Sequence, residues 1–257
     1  MIEGFKEDFK KSLDTGFVDQ EIASEVVYRP KLLTNKQNPK EKVLSTLLQE
    51  LNYCEEFNIS VAFVTTGGIA VLFNSLLELE RKGIQGKVLV SQYLNFTQPE
   101  ALRKLLNFKN IELKIATKNN SHAKGYIFKT PNYYNVIIGS SNWTATALTV
   151  NKEWNLKVSG LYSSEIVNNV LSEFESDFKE AKSVTKAYIS EYEIIYNKAK
   201  VSNTLNTEII TAGLIEPNAM QLEALLNLEK LRTKQKSKAL IISATGTGKT
   251  YLSAFDV

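Results

Sequence analysis

Histidine is almost missing from this sequence. Among 257 residues there is one, His122, and there is likewise one cysteine, Cys54. A lone cysteine excludes an internal disulfide and fits a reducing, cytoplasmic setting. One Cys and one His cannot together build a zinc-type site. Long apolar runs are scarce as well. The stretch from Ile59 to Leu77 is broken by Thr65, Thr66, Gly67, Gly68 and Asn74. It reads as strand, turn and helix rather than as a membrane span. The opening residues, Met1-Ile2-Glu3-Gly4-Phe5-Lys6-Glu7-Asp8, are too charged for a secretion signal. Neither an internal repeat nor a low-complexity segment is present.

What remains is an ordinary globular composition, 43% hydrophobic and 23% charged, with a formal charge of +3. That mild basicity permits an anionic partner such as nucleic acid without demanding one.

Periodicity gives the layout. A short helix is expected over Lys6 to Leu13, followed by loop with possible strand over Val26 to Gln37. Asn38-Pro39 reads as a helix cap, with Val43, Leu44, Leu47, Leu48 and Leu51 on one helical face. A strand from Ile59 to Val64 leads to a helix from about Ile69 to Arg81, closed by Gly83. The strand Lys87 to Ser91 follows. Thr97-Gln98-Pro99-Glu100 resembles a capping box for a helix through Leu106. Ile111 to Ala116 is a further strand. Three strands then come in quick succession, Ala123 to Phe128, Val136 to Gly139 and Asn155 to Gly160. Ser163 and Ser164 precede a helix with a stripe of Ile166, Val167, Val170, Leu171, Phe174 and Phe178. Another helix, about Val184 to Lys200, turns Tyr188, Tyr192 and Ile195 inward. The fold class expected is α/β, with a mixed, largely parallel sheet flanked by helices. The polar run Val201 to Thr207 marks a linker. Beyond it a helix from about Ala219 to Leu231 and a strand Ala239 to Ile242 introduce a glycine loop.

The single histidine lies in Ser121-His122-Ala123-Lys124-Gly125. On a strand, residues i and i+2 share a face, so His122 and Lys124 project together. Gly139-Ser140-Ser141-Asn142-Trp143 follows the next apolar run and brings an amide on a turn, and Glu153 comes shortly after. Taken singly, each of these residues has an ordinary structural explanation. The two tryptophans, Trp143 and Trp154, read as core or rim packing. An imidazole, a lysine and polar donors in this order form a set suited to attack on a phosphodiester without metal.

His122-Ala123-Lys124 and Gly139-Ser140-Ser141-Asn142 resemble the motif of the phospholipase D superfamily. Lys129 stands where that motif has an aspartate. The resemblance covers roughly residues 40 to 180. It is nearest to the nuclease branch, including metal-independent restriction enzymes with one motif per chain and a downstream Asn-x-Glu, here Asn151-Lys152-Glu153. It implies that His122 forms a covalent phosphohistidine, that Lys124, Asn142 and Ser140 hold the phosphoryl oxygens, and that Glu153 orients the imidazole. Relatives with two motifs use a second histidine as the acid, so a chain with one implies a homodimer with a shared site. No cofactor is implied for this chemistry.

Ser243-Ala244-Thr245-Gly246-Thr247-Gly248-Lys249-Thr250 resembles a Walker A loop. Gly246, Gly248, Lys249 and Thr250 are its candidate phosphate and magnesium contacts. Pro217-Asn218-Ala219-Met220-Gln221 resembles the adenine-reading motif of superfamily 2 helicases, which makes Gln221 a candidate base contact. The resemblances together imply a phospholipase D-like domain over 1–200, a linker over 201–215 and the front end of a helicase ATPase domain over 216–257. ATP and magnesium are implied only for a longer helicase. The function expected is a metal-independent endonuclease acting on DNA, in the service of a helicase or restriction-like system. The alternatives are a phospholipid hydrolase or phosphatidyl transferase, and a non-catalytic DNA-docking or dimerisation module.

Overall fold

The computed structural model describes residues 2–38, 40–92, 95–117, 121–198, 219–236, 238–241 and 252. The chain divides into two compact units, Met1–Ala199 and Lys200–Val257.

The first unit opens with helix α1 (Ile2–Phe17), a 3₁₀ turn (Val26–Tyr28), and strands β1 (Lys31–Leu33), β2 (Lys36–Gln37) and β3 (Lys40–Glu41). Helix α2 (Val43–Tyr53), strand β4 (Glu56–Val61), helix α3 (Thr66–Arg81) and strand β5 (Gln85–Ser91) follow. Next come α4 (Pro99–Leu106), β6 (Ile111–Ala116), β7 (Gly125–Lys129), β8 (Tyr133–Gly139) and α5 (Ala145–Thr149). The unit closes with β9 (Asn155–Leu161), α6 (Glu165–Glu180), β10 (Lys182–Ser183) and helix α7 over 186–198.

Eight strands form one mixed sheet in the order β1-β9-β8-β7-β4-β5-β6-β10. The parallel pairs are contiguous, β4 with β5 and β5 with β6, where α3 and α4 supply the crossovers. Every other neighbouring pair in the sheet is antiparallel. The quick succession of β7, β8 and β9 accounts for two of these pairs, β7 with β8 and β8 with β9, because short connections join antiparallel neighbours.

Alternation along the strands divides the core in two. On one face Val88, Val90, Tyr126, Phe128 and Ile137 pack against Leu47 and Leu51 of α2, Ile69, Leu72 and Leu76 of α3, and Leu102 and Leu105 of α4. On the other face Leu89, Ile127 and Val136 meet Val167, Phe174 and Phe178 of α6. Each such buried aliphatic or aromatic side chain contributes roughly 1.5–3 kcal/mol. Helix α6 covers only part of its face. Ile138, Leu156 and Leu32 are register neighbours on adjacent strands and remain 44%, 42% and 50% exposed.

A buried polar staple joins α2 to the sheet. Glu50 and Lys157 are 4% and 8% exposed and form an ion pair at 2.5 Å. Asn135 donates to Glu50 Oε2 at 2.6 Å and accepts from the Ser159 hydroxyl at 2.5 Å. The cluster thus satisfies the charges it removes from water.

Several local expectations are corrected. Helix α2 begins at Val43 rather than beside Asn38, because Lys36–Gln37 and Lys40–Glu41 pair as a ribbon. Its first amide is capped from upstream, by Asn35 Oδ1 at 3.0 Å. Helix α4 has no capping box. Gln98 is its N-cap residue and spends its side-chain oxygen on the N–H and hydroxyl of Thr66 at 2.7 and 3.0 Å. Ile166 and Ile195 are 49% and 47% exposed, so the apolar stripes of α6 and α7 are narrower than their sequences suggest. Gly83 does close α3, at φ +70°, where a side chain would be strained.

In the second unit α8 spans Ala219–Thr233. Residues 239–241 do not form the expected strand, and Leu240 is 85% exposed. A strand takes its hydrogen bonds from neighbouring strands, and this unit has none among the described residues. The loop from Ser243 to Thr250 lies outside the described residues.

Candidate active site

The site is built at one end of the sheet, where β7 begins and β8 ends. His122 and Lys124 are not on β7 as expected, since that strand starts at Gly125. Lys124 nevertheless extends the ladder by one step, its carbonyl accepting from Gly139 N at 3.2 Å. Lys124 is buried at 6% exposure and His122 is exposed. The ammonium lies 2.8 Å from His122 Nδ1 and 2.5 Å from the His122 carbonyl oxygen. The i, i+2 expectation therefore holds in its result, through a curled lysine rather than through strand alternation.

Burial drives the Lys124 ammonium below its ordinary value, and the negative charge of Glu153 partly restores it. That electrostatic contact sets Glu153 within the site. Its carboxylate accepts a short hydrogen bond from the Ser140 hydroxyl. Ser140 N donates to the Trp154 carbonyl at 3.1 Å, and Trp154 N donates to Ser140 Oγ at 3.1 Å. The family motif implies that Glu153 orients the imidazole, but at Nδ1 that position is taken by Lys124.

Asn142 is anchored by its oxygen. Oδ1 accepts from Ala62 N at 3.1 Å and from Phe63 N at 3.3 Å, just past the end of β4. The amide is thus fixed with the acceptor turned to the backbone, and its NH₂ is the group left for chemistry.

The turn that carries Ser140 and Asn142 rests on residues that the sequence did not single out. Asn155, 1% exposed, accepts from Ser141 N at 3.1 Å and donates to Ser141 Oγ at 2.9 Å. Tyr126 donates its hydroxyl to the Ser141 carbonyl at 2.9 Å. Trp143 is fully buried, as expected of a core residue, and donates to the Gly68 carbonyl at 2.8 Å. A Cβ on Gly68 would lie 2.0 Å from the Trp143 carbonyl oxygen, so only glycine admits this approach. The pair Gly67-Gly68 after an apolar strand was the available signal for it. Trp154, by contrast, is 64% exposed beside the site and is no part of the core.

Lys129, at the position of the motif aspartate, lies at the far end of β7 with Glu56 3.8 Å away. Among the described residues no cluster of three or more His, Cys, Asp or Glu could hold a metal. No helix among them is long and apolar enough to cross a membrane. In the second unit Gln221 is the third residue of α8 and is 5% exposed, while Gly246, Gly248, Lys249 and Thr250 lie outside the described residues.

A family model described as cardiolipin synthase, PLD-like domain, matches residues 47–178, just over half of the chain. The chain belongs to the phospholipase D-like family. Members of this family are phosphodiesterases, and the mixed eight-stranded sheet flanked by helices is the fold of the family. A second model, described as type III restriction enzyme, res subunit, matches residues 214–257. No curated protein matches the chain. Among solved structures, NucT from Helicobacter pylori aligns over 61% of this chain and 99% of its own, at 18% identity and a TM-score of 0.47. A phospholipase D family member, Nuc from Salmonella typhimurium, aligns over 62% of this chain and 100% of its own, at 15% identity and 0.49. The phosphatidylserine synthase of Haemophilus influenzae Rd KW20 aligns over 71% of this chain and 46% of its own, at 11% identity and 0.49.

Proposed function

We propose that this phospholipase D-like chain is a metal-independent endonuclease that cleaves DNA through a phosphohistidine on His122. The contact between Lys124 and His122 Nδ1 carries the reading. It pairs a nucleophile with a cation that can neutralise the phosphoryl oxygens it must approach. Imidazole nitrogen attacks phosphorus, a P–N bond forms, and the P–O bond to the leaving oxygen breaks. That oxygen takes a proton from a second imidazole. Water then attacks phosphorus, loses a proton to the same imidazole, and breaks the P–N bond. Asn142 donates to the non-bridging oxygens, Ser140 holds Glu153 in place through its hydroxyl, and Glu153 keeps Lys124 protonated.

The sequence offers no second histidine, so the acid is His122 of a second copy. The exposed row Leu32–Leu156–Ile138, with Trp154 beside it, supports such a homodimer, because it is an apolar face next to an incomplete site. The match of residues 214–257 to a restriction-enzyme subunit favours nucleic acid over lipid. ATP and magnesium belong, in this reading, to the helicase function that this match suggests.

Plasmid DNA incubated in excess EDTA tests the reading. Cleavage that persists under chelation and vanishes in His122→Ala supports it, as does an acid-labile phosphorylated histidine. Turnover of a phospholipid without DNA cleavage overturns it in favour of a lipid enzyme. A stable dimer with neither activity overturns it in favour of a docking module.

A further inference from the structure

We infer that the segment from Lys31 to Lys42 forms a phosphate-binding flank of the active site, which grips the backbone of a nucleic-acid strand beyond the bond being cut. The inference rests on the nuclease reading and names how the same site holds a polymer.

Charge is concentrated here. The whole chain carries a net charge of +3, yet this one segment has Lys31, Lys36, Lys40 and Lys42 against the single acid Glu41. Glu41 is committed to Lys36 at 3.7 Å. Among the described residues no carboxylate lies within ion-pair distance of Lys31, Lys40 or Lys42. Lys42 instead donates to the Thr149 carbonyl, which places its ammonium without cancelling its charge.

The fold turns these lysines toward one recess. Strand β1, the β2–β3 ribbon and the start of α2 surround a recess of about 220 Å³, lined by Lys31, Thr34, Lys40, Lys42 and Ser45 and by one carboxylate, that of Glu41, which is paired with Lys36. Helix α2 has no acidic residue in its first turn, and only its first amide is capped, by the neutral side chain of Asn35. The positive end of its dipole therefore adds to the lysines. Thr34 is 7% exposed, lines the same cavity, and has a hydroxyl without a hydrogen-bond partner. A buried polar atom left in this state is uncommon in a finished core. Three cationic side chains, hydroxyls and an orphaned donor around one recess, against one carboxylate already paired with Lys36, match a phosphate group.

The recess is braced to the catalytic turn. Leu33 on β1 pairs with Asn155, the residue that holds Ser141. Asn35 donates to the Asn151 carbonyl at 2.7 Å, two residues before Glu153. Lys31 and Leu33 face α2, whereas Leu32 faces the exposed apolar row, so the flank and a dimer face do not compete. A nucleic-acid strand carries about one charge per 3.4 Å of rise. Holding one phosphate at His122 thus presents further phosphates to the neighbouring surface.

The test is the double variant Lys31→Gln/Lys40→Gln, made in the full chain at exposed positions outside the catalytic set. Three quantities are measured for it and for the parent: binding of a fluorescent single-stranded oligonucleotide across a salt series, hydrolysis of bis(p-nitrophenyl) phosphate, and binding of vesicles of phosphatidylserine and phosphatidylcholine. The slope of log affinity against log salt is expected to shrink by about 1.4, because each phosphate that a lysine neutralises on a single strand adds about 0.7 to it. Turnover of the small diester is expected to stay within about twofold, since it has no second phosphate to hold. Unchanged oligonucleotide affinity and slope overturn the flank, even where the parent cleaves DNA. Loss of vesicle binding with oligonucleotide binding intact also overturns it, in favour of a lipid surface. A parent that cleaves neither DNA nor the small diester, but binds the oligonucleotide with a lysine-dependent slope, keeps the flank and overturns the catalytic reading instead.

Discussion

Lys124 points its ammonium at Nδ1 of His122, 2.8 Å away. An ammonium can only donate, so the ring nitrogen that faces it is an acceptor. The neutral imidazole then carries its proton on Nε2. Attack on phosphorus through Nε2 requires the opposite tautomer, so substrate phosphate must draw Lys124 off the ring before the ring can act. Nitrogen-15 chemical shifts of His122 are expected to report the Nε2–H tautomer in the free protein, and a mixture in Lys124→Met. Equal mixtures in both would show that the contact does not set the tautomer.

The alkaline limit of activity follows from the same lysine. Burial sets its folded-state value below the ordinary one, and Glu153 raises it part of the way back. Between the folded and unfolded values the unfolded chain binds more protons, so this group's contribution to stability rises with pH across that window. Activity runs the other way, because the ammonium is lost as pH rises through the lowered value. The alkaline limb of kcat/KM is expected below the range of a free lysine. Glu153→Gln moves the limb to still lower pH, on top of any loss in rate. A limb that stays in place or moves upward would remove Glu153 from this role.

Asn142 serves the backbone with its oxygen, and in the proposed mechanism its nitrogen serves the phosphate. Asn142→Ala leaves the N–H groups of Ala62 and Phe63 unpaired, each costing about 1–3 kcal/mol. Asn142→Asp keeps an acceptor for them while removing both donors. The expected outcome is a clear drop in Tm for the alanine variant and a smaller one for the aspartate variant. Both should lose on the order of 10²-fold or more in kcat. Full activity in Asn142→Asp would show that the amide is structural only.

Gly68 is the point at which α3 approaches the catalytic turn. Gly68→Ala would force a Cβ to 2.0 Å from the Trp143 carbonyl oxygen, a backbone atom that cannot rotate away. A loss of roughly 1–3 kcal/mol is expected, as for overpacking in a core, with activity falling further than stability. Thermal unfolding together with kcat checks it. Gly83→Ala is a control for backbone strain alone, since nothing lies within 4 Å of its Cβ and only its φ of +70° opposes the change.

The pair Glu50–Lys157 can be tested by a double-mutant cycle. Removing one partner, as in Lys157→Met, leaves a buried carboxylate and should cost about 3–5 kcal/mol. Adding Glu50→Leu should recover much of that loss. Urea unfolding of the four proteins measures the coupling, and additive losses would mean that the two side chains act independently.

The order of strands and helices was legible from sequence because each buried element carries its own period. Strand β6 matched its expected bounds, and β8 and β9 were recognised within a few residues, since their alternation is a local property. Boundaries failed where a distant group supplied the cap. Asn35 reaching the start of α2 and Gln98 serving Thr66 instead of its own helix are both tertiary events.

For the candidate site the sequence named the family and the residue types, because an imidazole, a lysine and a serine-asparagine turn are local motifs. It named neither Asn155 nor Tyr126, nor the approach of Gly68 to Trp143. Those residues act only when β7, β8, β9 and α3 come together, and an asparagine or a tyrosine on a strand has no local signature of the carbonyl it will hold. Which lysines cluster, and which tryptophan is buried, were likewise settled by packing: Trp143 and Trp154 are chemically identical, and only the neighbours that fold around one of them exclude it from water.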